Sequence, residues 1–226
     1  MATPNISIHP LLPSDLPKHA SLLLSSKLAL SINRLLFKNW PNEPFQLANY
    51  TKAAESGFND KDSETWKVID DGTEEIVGHF VLSRKRGEDV GVGEGKEGEE
   101  EKGEGEKGKK DIKVPEGFNE EVFKAVVKLA PKMDTLIGVD HFVITHVYIQ
   151  PLYRRRGIGS QLIHMAIEKS EKEGIPLSVG VEPEAHEFFL KMGFKDRTLG
   201  DMDLSAWAPA FSGYGVFRLW GMVFEK

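Results

Sequence analysis

The run Tyr153-Arg154-Arg155-Arg156-Gly157-Ile158-Gly159 has the make-up of an anion site. It leads into residues 159–173, where Leu162, Met165 and Ala166, with Ile163 and Ile167 at the margins, form an apolar helical stripe. Glu168 and Lys172 pair at i,i+4, Gly174 offers a C-cap and Pro176 blocks continuation, so a helix is predicted there. The first N–H groups of a helix have no intrahelical acceptor, and no Ser, Thr, Asp or Asn stands where it would cap these. Two glycines permit a tight turn, three arginines add positive charge and the helix dipole reinforces it, which suits a phosphate or pyrophosphate. No Lys-Ser or Lys-Thr follows the glycines, so this is not a P-loop. The competing reading is a surface turn whose arginines and amides meet water.

Titratable groups near that run are few. Residues 141–150 (HFVITHVYIQ) are rich in β-branched and aromatic residues and read as the best strand, carrying His141, His146 and Tyr148. Alternation puts His146 on the face opposite His141 unless a bulge resets the parity. His79 falls on a neighbouring predicted strand; His164 and His186 lie on helices, and His9 and His19 are remote in sequence from every motif. No two histidines have metal-ligand spacing beside a carboxylate, so no metal is expected.

Composition narrows the classes further. The chain has 226 residues and no cysteine, which removes disulfides, thiolate metal sites and thiol nucleophiles and fits a reducing, cytoplasmic or nuclear-cytoplasmic setting. With 29 Lys and Arg against 35 Asp and Glu the formal charge is -6, so neither a nucleic-acid nor a membrane-surface partner is expected. No apolar run reaches the roughly 20 residues of a membrane span, and the prolines before Lys18 argue against a secretory or transit leader. From Gly87 to Lys110 stand eight Gly, nine acidic residues and five Lys, and 87–113 reads as a disordered insertion inside one domain of 1–226. Two GxGxxG matches within it, starting at Gly93 and Gly103, follow no strand, open no helix and carry carboxylates where a pyrophosphate would sit.

The elements that must position these residues alternate. Residues 5–9 read as a strand, and a helix over 15–32 is capped by Ser14, with Leu16, Ala20, Leu23, Leu24 and Leu28 as its stripe. A weaker helix covers 45–56; 65–69 and 75–84 form a hairpin about Asp70-Asp71-Gly72-Thr73; a helix covers 119–129. After the helix at 159–173 come a strand at 177–181, a short helix at 184–192 and two strands separated by a loop around 209–213. This order implies a mixed α/β or α+β sheet.

At this level a family emerges. IQPLYRRRGIGSQLI, followed about 20 residues later by a strand and EAHEFFLKMGF, resembles the acetyl-coenzyme A signature of the GNAT N-acetyltransferase superfamily. The layout around LLFKNWPNEP resembles a fungal-type subset of it. The resemblance implies an α/β acyl-CoA N-acyltransferase fold, with a mostly antiparallel twisted sheet of 6–7 strands flanked by helices. It implies direct transfer of acetyl from acetyl-CoA to an amine. It implies that Val147, Tyr148 and Ile149 bind the pantetheine arm as an added strand, and that Arg154, Arg155, Arg156, Gly157, Ile158, Gly159 and Ser160 form the pyrophosphate loop. Phe189, which the resemblance places among the coenzyme-binding residues, stands where the family often has a tyrosine acid beside the sulfur, and Glu182 where many members carry an asparagine touching the coenzyme. With Val143 and Thr145 at the positions where relatives place a base, the candidates for catalysis are Tyr148 as substitute acid and His141 and His146 as bases. The amine is expected between the first two helices and the loop 207–215, with Phe211 and Tyr214. A coenzyme-binding module with little or no activity is the alternative, and the oligomeric state is left open.

Overall fold

The computed structural model describes residues 5–87 and 112–225, so most of the acidic insertion, with both GxGxxG matches, lies outside the described residues. In chain order the elements are β1 (Ile6–Pro10), α1 (Leu16–Leu28), α2 (Ser31–Leu36), α3 (Glu43–Asn59), β2 (Ser63–Asp70) and β3 (Glu75–Lys85). There follow α4 (Glu120–Leu129), β4 (His141–Ile149), α5 (Ile158–Glu173), β5 (Leu177–Val181), α6 (Pro183–Lys191), β6 (Phe194–Asp203) and β7 (Val216–Phe224). All seven strands join one sheet in the order β1-β2-β3-β4-β5-β7-β6. Every pairing is antiparallel except β4 with β5, which α5 connects as a crossover. The mixed sheet flanked by helices is the architecture expected from the sequence. No helix among the described residues is long and apolar enough to cross a membrane.

Two layers of helices cover the sheet. On one face Ile158, Leu162, Ile163 and Ala166 of α5 and Phe189 of α6 pack on Phe80, Leu82, Phe142, Ile144 and Val179. On the other, α1 crosses β3 and β4, while Val122 and Leu129 of α4 join Ile32 of α2 and Met202 and Phe217 of the last two strands. β3 and β4 approach closely at Gly78, where a Cβ would come within 2.8 Å of the Tyr148 carbonyl and 2.5 Å of Ile149 Cδ1, so glycine is required there.

The first helix departs from expectation. Rather than one helix over 15–32, α1 ends at Leu28 and α2 starts at Ser31. Leu30 between them is extended (φ -78°, ψ 126°), and Asn33 Nδ2 donates to the Lys27 carbonyl at 2.7 Å, so a side chain takes over a carbonyl that helix continuation would use. Its start differs too: Asp15, not Ser14, fixes the entry, its Oδ2 accepting from Leu12 N at 2.8 Å and from Lys67 Nζ at 2.5 Å.

Candidate active site

The parallel pair β4–β5 is short. Phe142, Val143 and Ile144 pair with Leu177, Ser178 and Val179, after which Gly180 and Val181 pair only with β7. The edge of β4 from Thr145 to Ile149 that faces β5 therefore has no strand beside it. Gln150 N donates to Val77 O at 2.9 Å, which fixes the alternation: Tyr148 turns its backbone groups to β3, while Val147 and Ile149 turn theirs to the open side. The Ile149 carbonyl accepts there from Arg154 Nε at 2.8 Å.

The chain leaving β4 makes a 3-10 turn at Pro151–Tyr153 and enters α5 through left-handed backbone at Arg155 (φ 62°) and Gly157 (φ 83°). No side chain caps α5. Its first turn closes with Gln161 N on Gly157 O at 3.0 Å, and the N–H groups of residues 155–160 meet no acceptor among the described residues. Right- and left-handed residues in succession turn such amides into one concavity, which suits an anion.

The three arginines divide their work. Arg154 caps Ile149, its guanidinium 5.5 Å from the centre of the Tyr148 ring. Arg156 lies 5.4 Å from the Tyr153 ring, whose hydroxyl donates to Asp70 Oδ2 at 2.7 Å in the β2–β3 turn. The Tyr153 hydrogen bond, with the Gly72 amide behind it, holds the Asp70 carboxyl below the usual range, and Asp70 in turn raises the phenol. The loop is thus tethered to the neighbouring hairpin, a contact invisible in the sequence. Among the described residues only Arg155 of the three has no partner.

The strand histidines separate. β4 carries a bulge: Val81 pairs with His146 and Leu82 with Ile144, leaving Thr145 over. The parity is reset, so His141, His146 and Tyr148 all fall on the face turned to α1, and it is distance along the strand that parts the histidines. His141 sits at the other end of β4, about 17 Å from His146 at strand rise. There its Nδ1 lies 2.6 Å from the Val139 carbonyl and its Nε2 3.0 Å from Asp134 Oδ1, off the line of a hydrogen bond. Burial opposes its charge, but Asp134 and Val139 outweigh it and raise its pKa. The placement is structural, and His141 is not brought to the open edge.

Around His146 the structure assembles what the sequence left scattered. His19 of α1 lies against His79 of β3 with ring centres 4.6 Å apart and the rings tilted by 30°, and His79 lies 6.4 Å from His146 and 6.0 Å from Tyr148. His19, taken from sequence as remote, is therefore a neighbour of the site. Both nitrogens of His19 and Nδ1 of His79 are buried without a partner among the described residues. Burial pushes His19 down to about 4 and His79 well below its ordinary value. His146 itself is exposed to solvent. Neighbouring protein, then the charges of Lys27 and His19, push its pKa down, a push tempered by the water that reaches the ring. Lys27, at the end of α1, bridges to Glu182 at the end of β5 at 3.0 Å.

These shifts predict an acid limb of stability. A histidine depressed in the folded state contributes its full stability above the unfolded value of 6.5 and loses it as pH falls toward 4. His19 alone accounts for on the order of 3 kcal/mol. His141, shifted upward, acts oppositely: its contribution is complete below 6.5 and is lost above, outside that window. Urea midpoints between pH 7.5 and 4 should therefore fall, and the fall should be shallower in His19→Phe.

Phe189 is 2 % exposed and packs edge-on against Phe194 at 5.2 Å, so its ring is core. Its neighbour Phe188 lies against Gly159, where a Cβ would come 3.4 Å from the ring. On the acceptor side, Phe211 is fully exposed and lines nothing, whereas Tyr214 lines a 280 Å³ cavity between α2 and the β6–β7 loop.

Comparison with known proteins agrees with this geometry. Residues 127–201 match the acetyltransferase (GNAT) domain, a span running from the end of α4 into β6. An uncharacterized N-acetyltransferase of Methanocaldococcus jannaschii is 41% identical over 58 residues, covering 24% of this chain and 26% of that protein. NAA60 of Arabidopsis thaliana, solved with acetyl-CoA, superposes with a TM-score of 0.54 at 15% identity, covering 98% of this chain and 100% of the other. A putative arylalkylamine N-acetyltransferase of the yellow fever mosquito gives 0.60 at 13% identity, covering 95% and 86%. At such identities the likeness is one of fold.

Proposed function

We propose that this chain, which carries a GNAT acetyltransferase domain on the fold of that superfamily, is an N-acetyltransferase that moves acetyl from acetyl-CoA to an amine. The observation that carries this reading is the run of partnerless amides at residues 155–160 opening beside the unpaired edge of β4. Pyrophosphate fits the amides and Arg155; a pantetheine arm, with its own amides, fits the exposed backbone groups of Val147 and Ile149. Acetyl-CoA supplies an activated acyl thioester. The protein's part is to hold that carbonyl against the amine and to offer an amide of the open edge, Val147 N–H, where oxyanion charge develops.

Proton handling falls to the face turned to α1. His146 stands on that face where it can take the proton the amine loses as it adds to the thioester carbonyl, and Tyr148 supplies the hydroxyl that Phe189 lacks. An acceptor must shed its ammonium proton before its nitrogen can attack, so the rate between pH 6 and 9 should rise with pH.

The test is thermal shift with acetyl-CoA joined to a thiol-release screen over amines. A ligand at 100 times its Kd adds about 2.7 kcal/mol to stability; a protein indifferent to acetyl-CoA ends the proposal. Burial of Phe189, which has no proton to give, favours a second reading, a coenzyme-binding module without turnover, and thiol release above the hydrolysis blank for any amine excludes it. Tyr153→Phe should unfasten the loop from Asp70 and weaken acetyl-CoA binding about 3- to 10-fold, the value of one hydrogen bond, with kcat unchanged.

A further inference from the structure

The arginines single out a second place. Four of the eight are paired with carboxylates: Arg84 with Asp140, Arg86 with Asp62, Arg197 with Glu225 and Arg218 with Asp201. Arg154 caps a carbonyl and Arg156 covers the Tyr153 ring. Arg155 and Arg34 alone have no partner among the described residues. Arg155 belongs to the proposed pyrophosphate loop. Arg34, exposed on α2, lines that open groove of about 280 Å³ together with Ser31, Ser212 and Tyr214, so three hydroxyl-bearing residues and a guanidinium share a space that no described carboxylate lines.

The α1–α2 corner links that groove to α1, the helix that lies across β3 and β4. Ser31 at its rim is four residues from Lys27, no more than about 14 Å along the chain, and Lys27 is the cation that acts on His146 and bridges to Glu182. Charge is polarised: Glu184 stands beside the Lys27-paired Glu182 at the β5–α6 end, and the unpaired Arg34 on α2. An ammonium is drawn to the first and a carboxylate to the second, whose planar fork matches it with two parallel hydrogen bonds. The volume suits a molecule of amino-acid size.

Resting on the acetyltransferase reading, we propose that the acceptor is a small amine bearing a carboxylate, its carboxylate held by Arg34 with the hydroxyls of Ser31, Ser212 and Tyr214. The experiment compares free amino acids with their amides and with the amines lacking the carboxyl group, by thiol release at saturating acetyl-CoA. Wild type should favour the acid over its amide at least tenfold in kcat/KM, and Arg34→Ala should remove that preference through KM, leaving the amides and the acetyl-CoA melting shift unchanged. Arg34→Lys should retain part of it. A wild type that prefers the amides, or an Arg34→Ala that slows acids and amides alike, overturns the proposal. If no amine releases thiol, the acetyltransferase reading fails separately, and titration with N-acetyl amino acids and their amides decides this one. Acid-selective binding lost in Arg34→Ala upholds it, and its absence overturns it.

Discussion

Gly159→Val should leave a folded protein that acetyl-CoA no longer stabilises. In a helix each Cα–Cβ bond leans toward the N-terminus, so a valine in the first turn of α5 tilts its methyls over the amides of residues 155–160. A Cβ there stands 3.4 Å from the Phe188 ring, an ordinary contact, so the backbone accepts a side chain and the valine methyls are accommodated by a shift of that ring, which a melting curve without ligand checks. The expected loss is the whole ligand term, about 2.7 kcal/mol at 100 times the wild-type Kd, or roughly 5–10 °C in melting temperature for a chain of this size. Gly159→Ala, adding one methyl, should weaken binding without eliminating it. A Gly159→Val protein that binds acetyl-CoA like wild type would place the coenzyme elsewhere.

The second large effect concerns turnover. His146→Gln and Tyr148→Phe should each lower kcat by about 10²-fold or more, the contribution of a positioned acid or base, while acetyl-CoA binding changes less than about threefold. Both substitutions keep the shape of the side chain and act on the face turned away from the amide cradle, so binding and chemistry separate. The two should differ in pH dependence. Without His146 the acceptor loses its internal proton acceptor, and the rate should become sensitive to buffer concentration. Without Tyr148, departure of the thiolate slows, and the deficit should shrink with an acyl donor whose thiol is more acidic. If His146→Gln retains full kcat, the proton leaves by another route; His79 and His19, buried behind His146, are the next residues to substitute.

The two predictions draw on features of unequal legibility. The cradle depends on neighbours in the chain: whether a cap exists, where glycines fall and where the apolar stripe begins are all settled within two turns of α5, and they were readable at Gly157 and Gly159. The catalytic face was not. His146 and His141 look equivalent on a strand, and the extra residue at Thr145 puts both on the face of Tyr148; what tells them apart is that His141 is tied to Val139 and Asp134 at one end of β4 while His146 lies beside α1 at the other. A bulge is specified by the partner strand, here Val81 and Leu82, more than 60 residues away. His19 carried no signal at all, because its relation to His79 exists only once α1 lies across β3. The break between α1 and α2 was missed for a similar reason: the apolar stripe runs through it, and it is the Asn33 side chain that takes the Lys27 carbonyl.

By itself, then, the order of residues determined the succession of helices and strands, the mixed sheet, the uncapped entry to α5 and the lack of a hydroxyl at Phe189, since these follow from propensity, periodicity and side-chain chemistry over short range. The tertiary structure alone decided where β4 parts from β5, which histidines meet, how Tyr153 is tied to Asp70 and that Arg34 opens into a cavity. Each of these joins residues tens of positions apart. Pairing register and helix packing, which are set by the burial of the whole core, bring them together, and no local window of sequence contains that information.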